Sequence, residues 1–269
     1  MIVFLVLGML LFIFLIGNIH FAIKFRQQAQ QLLLQTNKET NKIFSHNQLV
    51  GLPQPVQRYF TYALQEGQPY IKKVILKHNG QFKTSQSKSW MTIKGLQYFT
   101  TETPGFIWKG STLWFTARDM FIAGKGRLIV TLLGLYNIVD GNGDAFNEAE
   151  LQRWVSESVW FPTNLLPSDA LSWVAINDVS ATLLYKHRQI AINFLVRFNT
   201  KGQITQMETQ RFMSSDKKET WICKMMQYQL LNNIMVPTSA RAIWKLPTTN
   251  FCYAKFIVTS IHYDSLKSF

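Results

Sequence analysis

The chain has 269 residues, of which 47% are hydrophobic and 14% aromatic, a composition that fills a sizeable core and excludes wholesale disorder. Charged residues make up only 16%, but 28 Lys and Arg stand against 15 Asp and Glu, which gives a net charge of +13. Two cysteines are too few for a disulfide scaffold or a four-thiolate metal site. The composition indicates a basic, aromatic-rich globular protein. It does not identify a reaction that the protein catalyses.

The first segment of the chain carries much of the apolar excess. No charged side chain occurs before Lys24, and this uncharged run matches the ~20 residues of a membrane-spanning helix. A cleaved secretory signal would need a basic start and a small-x-small cleavage site, and neither is present. We therefore predict a transmembrane anchor at residues 1–24, with residues 2–23 in the membrane and a single-pass location at the cell (inner) membrane. The side on which the rest of the chain lies stays open, because the cationic bias after the span is small.

Residues 25–48 are predicted to form a juxtamembrane helix and a polar linker, followed by a single β-rich domain at 49–269. That domain is expected to open with a short helix, since Pro55 suits the first helical position and apolar residues then recur at helical spacing. Another helix is expected with Asn147 as its N-cap and Glu150 as the capping-box partner, ending before Pro162.

Beyond Pro69 the apolar period changes from 3.6 to 2, which is typical of strands. Residues 190–198 alternate strictly, and a Lys201-Gly202 turn leads into the next alternating segment. Short connections between such segments favour an antiparallel meander over βαβ units. The predicted fold class is α+β and β-rich: a curved, half-barrel-like antiparallel sheet with helices packed on one face.

One local pattern imitates a calcium loop. Asp140, Asn142 and Asp144 occupy positions 1, 3 and 5 of an EF-hand-like segment, but Ala145 and Leu151 stand where Gly and a bidentate Glu are required. A Gly-rich turn leading into a helix is the favoured interpretation. We predict no metal site, no cofactor and no catalytic residue, and an enzyme is the less favoured class.

The two cysteines, Cys223 and Cys252, lie in strand-like stretches and are expected to be neighbours across the sheet. Free buried thiols are favoured, and a disulfide remains an alternative for an extracytoplasmic domain.

Positive charge is concentrated on the early strands. Residues 71–130 hold ten Lys and Arg against only Glu102 and Asp119. Aromatic residues interleave with these cations, as in nucleic-acid-binding surfaces, but a neighbouring membrane favours anionic headgroups as the partner. No nucleic-acid partner is expected, and a solvated basic face is the plain alternative.

Two acids are candidates for chemistry. Asp119 lies in an aromatic stretch, and Glu157 precedes an aromatic helix end. Apolar surroundings raise the pKa of a carboxyl group and suit it to general acid catalysis. An ion pair, for Asp119 with Arg118 or a nearby Lys, is the more common outcome.

Three blocks of the sequence resemble, in order, a bacterial family of domains of unknown function, the one numbered 6544. The blocks are Leu52-Pro53-Gln54-Pro55-Val56-Gln57-Arg58-Tyr59, Pro104-Gly105-Phe106-Ile107-Trp108, and Glu157 through Trp160-Phe161-Pro162-Thr163. The resemblance covers Leu49 to Tyr263, and it departs at Trp154, where Tyr is expected. It implies no catalytic role for any residue.

The predicted layout also resembles lipoprotein-carrier half-barrels, whose concave face holds acyl chains; this is an analogy of fold alone. We therefore expect the protein to bind a lipid or other hydrophobic ligand in an apolar concavity of the sheet. The alternatives are an envelope-associated hydrolase or transferase using Asp119 or Glu157, and a membrane-tethered scaffold whose sheet edge binds another protein. The candidate ligand-binding residues are Trp108, Trp114, Phe115, Phe121, Phe194 and Trp244.

Overall fold

A computed structural model describes residues 2–34 and 41–264. The α-helices of this part of the chain are α1 (Ile2–Leu34), α2 (Gln54–Ala63) and α3 (Asp144–Glu157). Short 3-10 helices lie at His46–Leu49, Ser158–Trp160 and Pro162–Leu165. The strands are β1 (Lys73–Phe82), β2 (Met91–Thr100), β3 (Gly105–Ser111), β4 (Phe115–Ile122), β5 (Lys125–Leu132), β6 (Tyr136–Asn142), β7 (Leu171–Asn177), β8 (Ser180–His187), β9 (Ile190–Phe198), β10 (Ile204–Phe212), β11 (Lys218–Leu231), β12 (Ile234–Lys245) and β13 (Asn250–Tyr263).

Within the described residues the strands form one antiparallel sheet of 13 strands, in the order β6-β5-β4-β3-β2-β1-β13-β12-β11-β10-β9-β8-β7. Strands β1 to β6 form one meander and β7 to β13 a second, and the pairing of β1 with β13 joins the two. The predicted antiparallel meander is confirmed.

The sheet is strongly curved. Helix α3 contacts both β5 and β10, although seven strands lie between them in the sheet. In a flat sheet those two strands would be ~38 Å apart, far more than the width of a helix. The sheet therefore wraps around α3, as the predicted curved sheet requires.

The concave side, here called the inner face, holds the main core. Helix α2 packs there against β7, β8 and β12, and its apolar stripe is buried as the helical spacing predicts. The inner-face core includes Val74, Leu76, Phe99, Phe106 and Phe121, each fully buried. Aromatic and aliphatic side chains from both meanders therefore meet around α2 and α3.

Helix α1 lies on the opposite, outer face. Its Phe25, Ala29 and Leu32 are buried against Ile75 and Ile107 of the sheet, in a second and smaller core. Helices thus pack on both faces of the sheet, and the prediction of helices on one face is wrong in this respect.

The predicted location at the cell membrane is also wrong. Within residues 2–34 and 41–264, no helix combines the length and the apolar content that crossing a bilayer requires. A count of uncharged residues does not distinguish side chains that face lipid from side chains that pack against the protein itself. Part of the apolar content of α1 is explained by the protein itself, because Phe21, Phe25 and Leu32 are buried.

Packing of the inner core begins ahead of Leu49. Phe44 is fully buried, and Ile43 forms a β-bridge with Pro69. Ser45 caps the first 3-10 helix in a capping box with Gln48. The part of the predicted linker at residues 35–40 lies outside the described residues.

Helix α3 begins four residues earlier than the sequence predicts. Gly143 is its N-cap, and the side chain of Asn147 instead accepts a hydrogen bond from the backbone N–H of Gly126 at 2.8 Å. Glu150, the expected capping-box partner, binds Arg211 of β10. Long-range partners have replaced the local cap.

Trp154 of α3 tests how strongly this helix holds the inner core. The side chain is 1% exposed, and its Nε1 donates to the carbonyl oxygen of Thr100 at 2.9 Å. We expect Trp154→Ala to lower the free energy of unfolding by about 3–5 kcal/mol, because it removes a buried ring and leaves a cavity. Urea denaturation followed by circular dichroism measures the change.

The matched control is Trp114→Ala, since Trp114 is 60% exposed. Its effect should stay within about 0.5 kcal/mol. Equal losses in the two variants would contradict the described position of α3.

Candidate functional site

A cluster of charged side chains is buried between α3 and the inner face of the sheet. At its centre, Arg153 of α3 binds Asp119 of β4 at 2.5 Å and Glu157, one helical turn further on, at 2.8 Å. The guanidinium also lies over the rings of Phe106 and Trp108, at 4.9 and 5.0 Å from their centroids. Arg153 is thus held by two carboxylates and two aromatic faces.

Glu157 connects this centre to β2, because Gln97 donates its side-chain amide to Glu157 Oε2 at 2.6 Å. Burial raises the pKa of Glu157, with Arg153 acting in the opposite direction. Burial disfavours the charged form of Arg153 too, but Glu157 and Asp119 outweigh it and raise the pKa of the guanidinium. Arg153 is therefore a permanent cation.

A second arginine completes the cluster. Arg211 of β10 binds Glu150 at 3.2 Å and donates to the carbonyl oxygen of Ala149 at 3.1 Å. It lies 4.6 Å from the centroid of the Trp221 ring. Burial and the nearby Asp119 raise the pKa of Glu150 well above its usual range. The guanidinium groups of Arg153 and Arg211 thus face three carboxyl groups, those of Asp119, Glu150 and Glu157.

His78 and Trp108 lie flat on the sheet beside Arg153. Trp108 Nε1 donates to His78 Nε2 at 2.9 Å, and the two rings are parallel within 4°. Glycines make room for them: a Cβ at Gly95 would be 1.9 Å from His78 Nε2, and one at Gly110 would be 2.1 Å from the Trp108 ring. Burial and Arg153 lower the pKa of His78 to about 4, so the imidazole is neutral at physiological pH.

Several polar atoms of this region have no hydrogen-bond partner among the described residues. They are His78 Nδ1, Asp119 Oδ1, Glu150 Oε2 and Gln152 Oε1. An unsatisfied buried polar atom costs about 1–3 kcal/mol. The packing of α3 on the sheet is therefore less stable than packing on an apolar surface of the same shape.

Next to the cluster, the inner face has a stretch of apolar side chains that neither helix fully covers. We name it the inner apolar strip; it consists of Cys223, Ala240, Ala242, Phe256 and Val258, all partly exposed. The register places these residues on neighbouring positions of β11, β12 and β13. Ser156 of α3 hydrogen-bonds with the Cys223 thiol, so the strip borders the ionic cluster.

The six candidate ligand-binding residues do not form one site. Phe121 and Phe194 are fully buried on the inner face, and Trp108 and Trp244 are almost fully buried beside the two arginines. Trp114 is exposed in the turn between β3 and β4, and Phe115 follows it at the start of β4. Four of the candidates thus lie within the concavity, and Trp114 lies outside it.

The two cysteines are free and are not neighbours. Strand β12 lies between β11 and β13, and it pairs Ala242 with Cys223 but Ile243 with Cys252. Because successive residues of a strand point to opposite faces, Cys223 is on the inner face and Cys252 on the outer face. The expectation of neighbouring cysteines is wrong.

The calcium-like segment is the end of β6 followed directly by the start of α3, so the predicted helix is present but the predicted Gly-rich turn is replaced by a strand end. Asp140 of β6 receives two hydrogen bonds from Arg127 of β5, at 2.8 and 2.7 Å, and Asp144 begins α3. In the described part of the chain, no group of three or more His, Cys, Asp or Glu side chains is placed to hold a metal ion.

Comparison of the sequence with known families identifies residues 42–256 as a match to DUF6544, a family of unknown function. The chain belongs to this family. The resemblance of its three sequence blocks is therefore confirmed. No curated protein matches the chain.

Two solved structures have a similar fold. One is described as an outer membrane lipoprotein-sorting protein domain from Vibrio parahaemolyticus, with a TM-score of 0.41, 8% identity, and coverage of 73% of this chain and 87% of that chain. The other is a LolA superfamily protein from Nitrosomonas europaea, with a TM-score of 0.44, 6% identity, and coverage of 79% and 93%. This similarity transfers no function to the DUF6544 chain.

Sequence reasoning found Asp119 and Glu157 but missed the arginine that joins them. The spacing of Arg153 and Glu157 at i and i+4 is a visible helical signal. Nothing local connects Arg153 with Asp119, because they are 34 positions apart and meet only when α3 folds back across β4. The role of Arg211 could not be predicted for the same reason, because its partners on α3 are far from it in the sequence.

Replacing Arg153 tests whether the cluster is a closed set of charges. We expect Arg153→Met to lower the free energy of unfolding by about 3–5 kcal/mol, because Asp119 and Glu157 are left buried without a counter-charge. The triple variant Arg153→Met, Asp119→Leu, Glu157→Leu should recover most of that loss, since no uncompensated charge remains. Chemical denaturation measures both.

Arg127→Met serves as the control, because its pair with Asp140 is partly exposed and should contribute less than about 1 kcal/mol. A triple variant as unstable as the single one would refute the assigned role of the cluster.

His78 gives the fold a specific pH dependence. Because its pKa falls from 6.5 to about 4 on folding, the unfolded chain binds this proton first between those values. The contribution of His78 to the free energy of unfolding is complete above pH 6.5 and decreases as the pH falls toward 4, by about 3 kcal/mol in all. Urea titrations across this range should show a shallower loss for His78→Gln than for the wild type, and parallel curves would contradict the assignment.

Proposed function

We propose that the protein binds a lipid or another hydrophobic ligand on the inner face of its curved sheet. The observation that carries this proposal is the inner apolar strip, which lies within the concavity and is left partly exposed by α2 and α3. Ligand sites are concave and mostly apolar, with a few polar groups that fix orientation. The strip and its charged border fit that description.

The polar groups at the border of the strip are mainly the guanidinium groups of Arg153 and Arg211. Arg153 and Arg211 stack on Trp108 and Trp221, and their charges act on the Cys223 thiol within the strip. Both arginines are already paired with carboxylates of the cluster, so we infer that the strip takes the apolar part of a ligand while its polar end meets the ion pairs at the border. Among the candidate residues, we assign direct contact with the ligand to Trp108 and Trp244, which adjoin this border.

Phe121 and Phe194 take part only if α3 moves, because both are fully buried. Trp114 and Phe115 lie near the β3–β4 turn and have no part in this proposal.

The enzymatic alternative is less well supported. Its two acids, Asp119 and Glu157, are both held in buried ion pairs with Arg153. We infer that they position α3.

A specific observation favours an interaction role as a second candidate. Strand β6 ends the sheet, and its Tyr136, Ile138 and Val139 are exposed. An uncovered edge strand can pair with an extended segment of another protein.

The test uses the full chain and the fluorescent fatty acid cis-parinaric acid. We expect the wild type to bind the probe and Ala242→Trp, which fills the strip, to bind it at least tenfold more weakly. Native mass spectrometry of the purified chain should also show a co-purifying lipid. Fluorescence titration gives the dissociation constants.

Ile257→Trp is the matched control, because Ile257 follows Phe256 on β13, is 58% exposed and faces the other side of the sheet. It should bind the probe as the wild type does. Absence of probe binding in the wild type, or equal binding by Ala242→Trp, refutes the proposal. A stoichiometric co-purifying protein without lipid would favour the edge-strand candidate instead.

A further inference from the structure

A cavity of about 230 Å³ lies on the outer face, between α1 and strands β4 to β6. Its walls include Lys24 and Gln28 of α1, Arg118 of β4 and Arg127 of β5. It is separated from the inner apolar strip by the sheet itself. The two regions are therefore distinct, and neither depends on the other.

Arg118 is the central group of this cavity. Its residue is only 4% exposed, and its charge has no carboxylate within salt-bridge distance among the described residues. One arm of the guanidinium, Nη1, donates to Gln28 Oε1 at 2.9 Å, and the Phe21 ring lies 5.1 Å away. Its Nε is buried and has no hydrogen-bond partner within the described residues.

The surrounding charges make this arrangement costly. Burial, followed by the neighbouring charge of Arg127, lowers the pKa of Arg118. Arg127 is itself held by Asp140, while Lys24 adds a third cation. Three cations and one carboxylate leave a net charge of +2 at the cavity.

A buried guanidinium normally has a counter-charge, because desolvating an unpaired ion is unfavourable. The cavity has the volume for a small oxyanion, and the side chains of Lys24, Arg118 and Arg127 line it. Guanidinium groups bind phosphate through two parallel hydrogen bonds, and a phosphate monoester dianion would match the charge of +2.

We propose that this cavity is an anion site that takes a phosphate group, with Arg118 as its principal ligand and Lys24 and Arg127 as supporting cations. Asp140 restrains Arg127 and limits the total charge that the site accepts. Asn137 lines the same cavity, and its side-chain amide can donate to a further oxygen.

Two sources of phosphate share this chemistry. One is a free phosphate or soluble phosphomonoester, and the other is the headgroup of an anionic lipid whose chain lies against Phe21 and Leu135. Arg118 and Arg127 belong to the basic stretch at residues 71–130, for which anionic headgroups are expected from the sequence. The cavity gives that expectation a specific place.

The experiment measures binding to the full chain by isothermal titration calorimetry. The probes are inorganic phosphate, sodium chloride at equal ionic strength, and a soluble short-chain phosphatidic acid with the matching phosphatidylcholine. We expect saturable binding of phosphate or of phosphatidic acid, and none of chloride. Phosphate binding identifies the free anion as a sufficient ligand, while binding of phosphatidic acid alone identifies the headgroup.

Arg118→Met removes the central charge and should weaken binding at least tenfold. Because this substitution removes a buried unpaired charge, it should not reduce the thermal stability of the ligand-free chain, and that readout confirms that the variant folds. Lys24→Met, at an exposed helix position, should weaken binding to a smaller degree.

Arg241→Met is the control, since Arg241 is exposed on β12 and faces the outer side of the sheet. It should bind as the wild type does. The proposal is overturned if no phosphate probe binds, if Arg118→Met binds unchanged, or if Arg241→Met loses as much affinity as Arg118→Met. None of these results bears on the inner apolar strip, whose test uses a different probe and different variants.

Discussion

The bonds of two buried arginines determine how the halves of this molecule fit together. Arg153 ties α3 to β4 through Asp119 and to β2 through Glu157 and Gln97, all in the first meander. Arg211 belongs to β10 of the second meander and holds α3 through Glu150 and the carbonyl of Ala149. Helix α3 is thus fastened at both ends of the curve. The curvature of the sheet depends on this double attachment, because a helix held by one meander alone would leave the other free to flatten.

Charge–charge contacts of this kind fix geometry more than they stabilise. Desolvation offsets much of the attraction between buried ions, so an apolar seat of equal shape would hold α3 at least as firmly. The ion pairs fix the orientation of α3. A guanidinium group donates hydrogen bonds to carboxylates in only a few geometries, whereas apolar side chains can shift along one another. Trp108 and His78 reinforce this, since both rings lie in the plane of the sheet over Gly95 and Gly110. The glycines of β2 and β3 are therefore part of the same arrangement.

Local signals accounted for much of the fold. Helix α2 follows from Pro55 and the spacing of its apolar residues, and β9 follows from strict alternation at 190–198. Both signals act over a few residues, where backbone preference and burial agree. The first family block falls mainly on α2, the second on β3, and the third on the 3-10 helices that follow α3.

The features that sequence reasoning missed depend on contacts between distant residues. The uncharged run at the start of the chain reads the same whether its side chains face lipid or, as Phe21 does beside Arg118, pack against the sheet. Asn147 has the composition of a helix cap, but Gly126 of β5 takes its side-chain oxygen. Cys223 and Cys252 appeared close because the intervening strand was not counted. In each case the deciding partner lies on another element, and one sequence contains no record of that partner.

The pairing of β1 with β13 has a consequence for the order in which the molecule forms. Every other strand pair joins neighbours in the sequence, so each meander can assemble from short hairpins. The central pair instead closes a loop of more than 180 residues, from Val74 to Tyr263, and such a closure carries a large entropic cost. On a ribosome, β1 keeps one side of its backbone unpaired until β13, more than 180 residues later in the chain, has been made. The β1–β13 pair at the middle of the sheet is therefore the last strand pair to form. Until then β1 is an unpaired edge strand that can pair with strands of other chains.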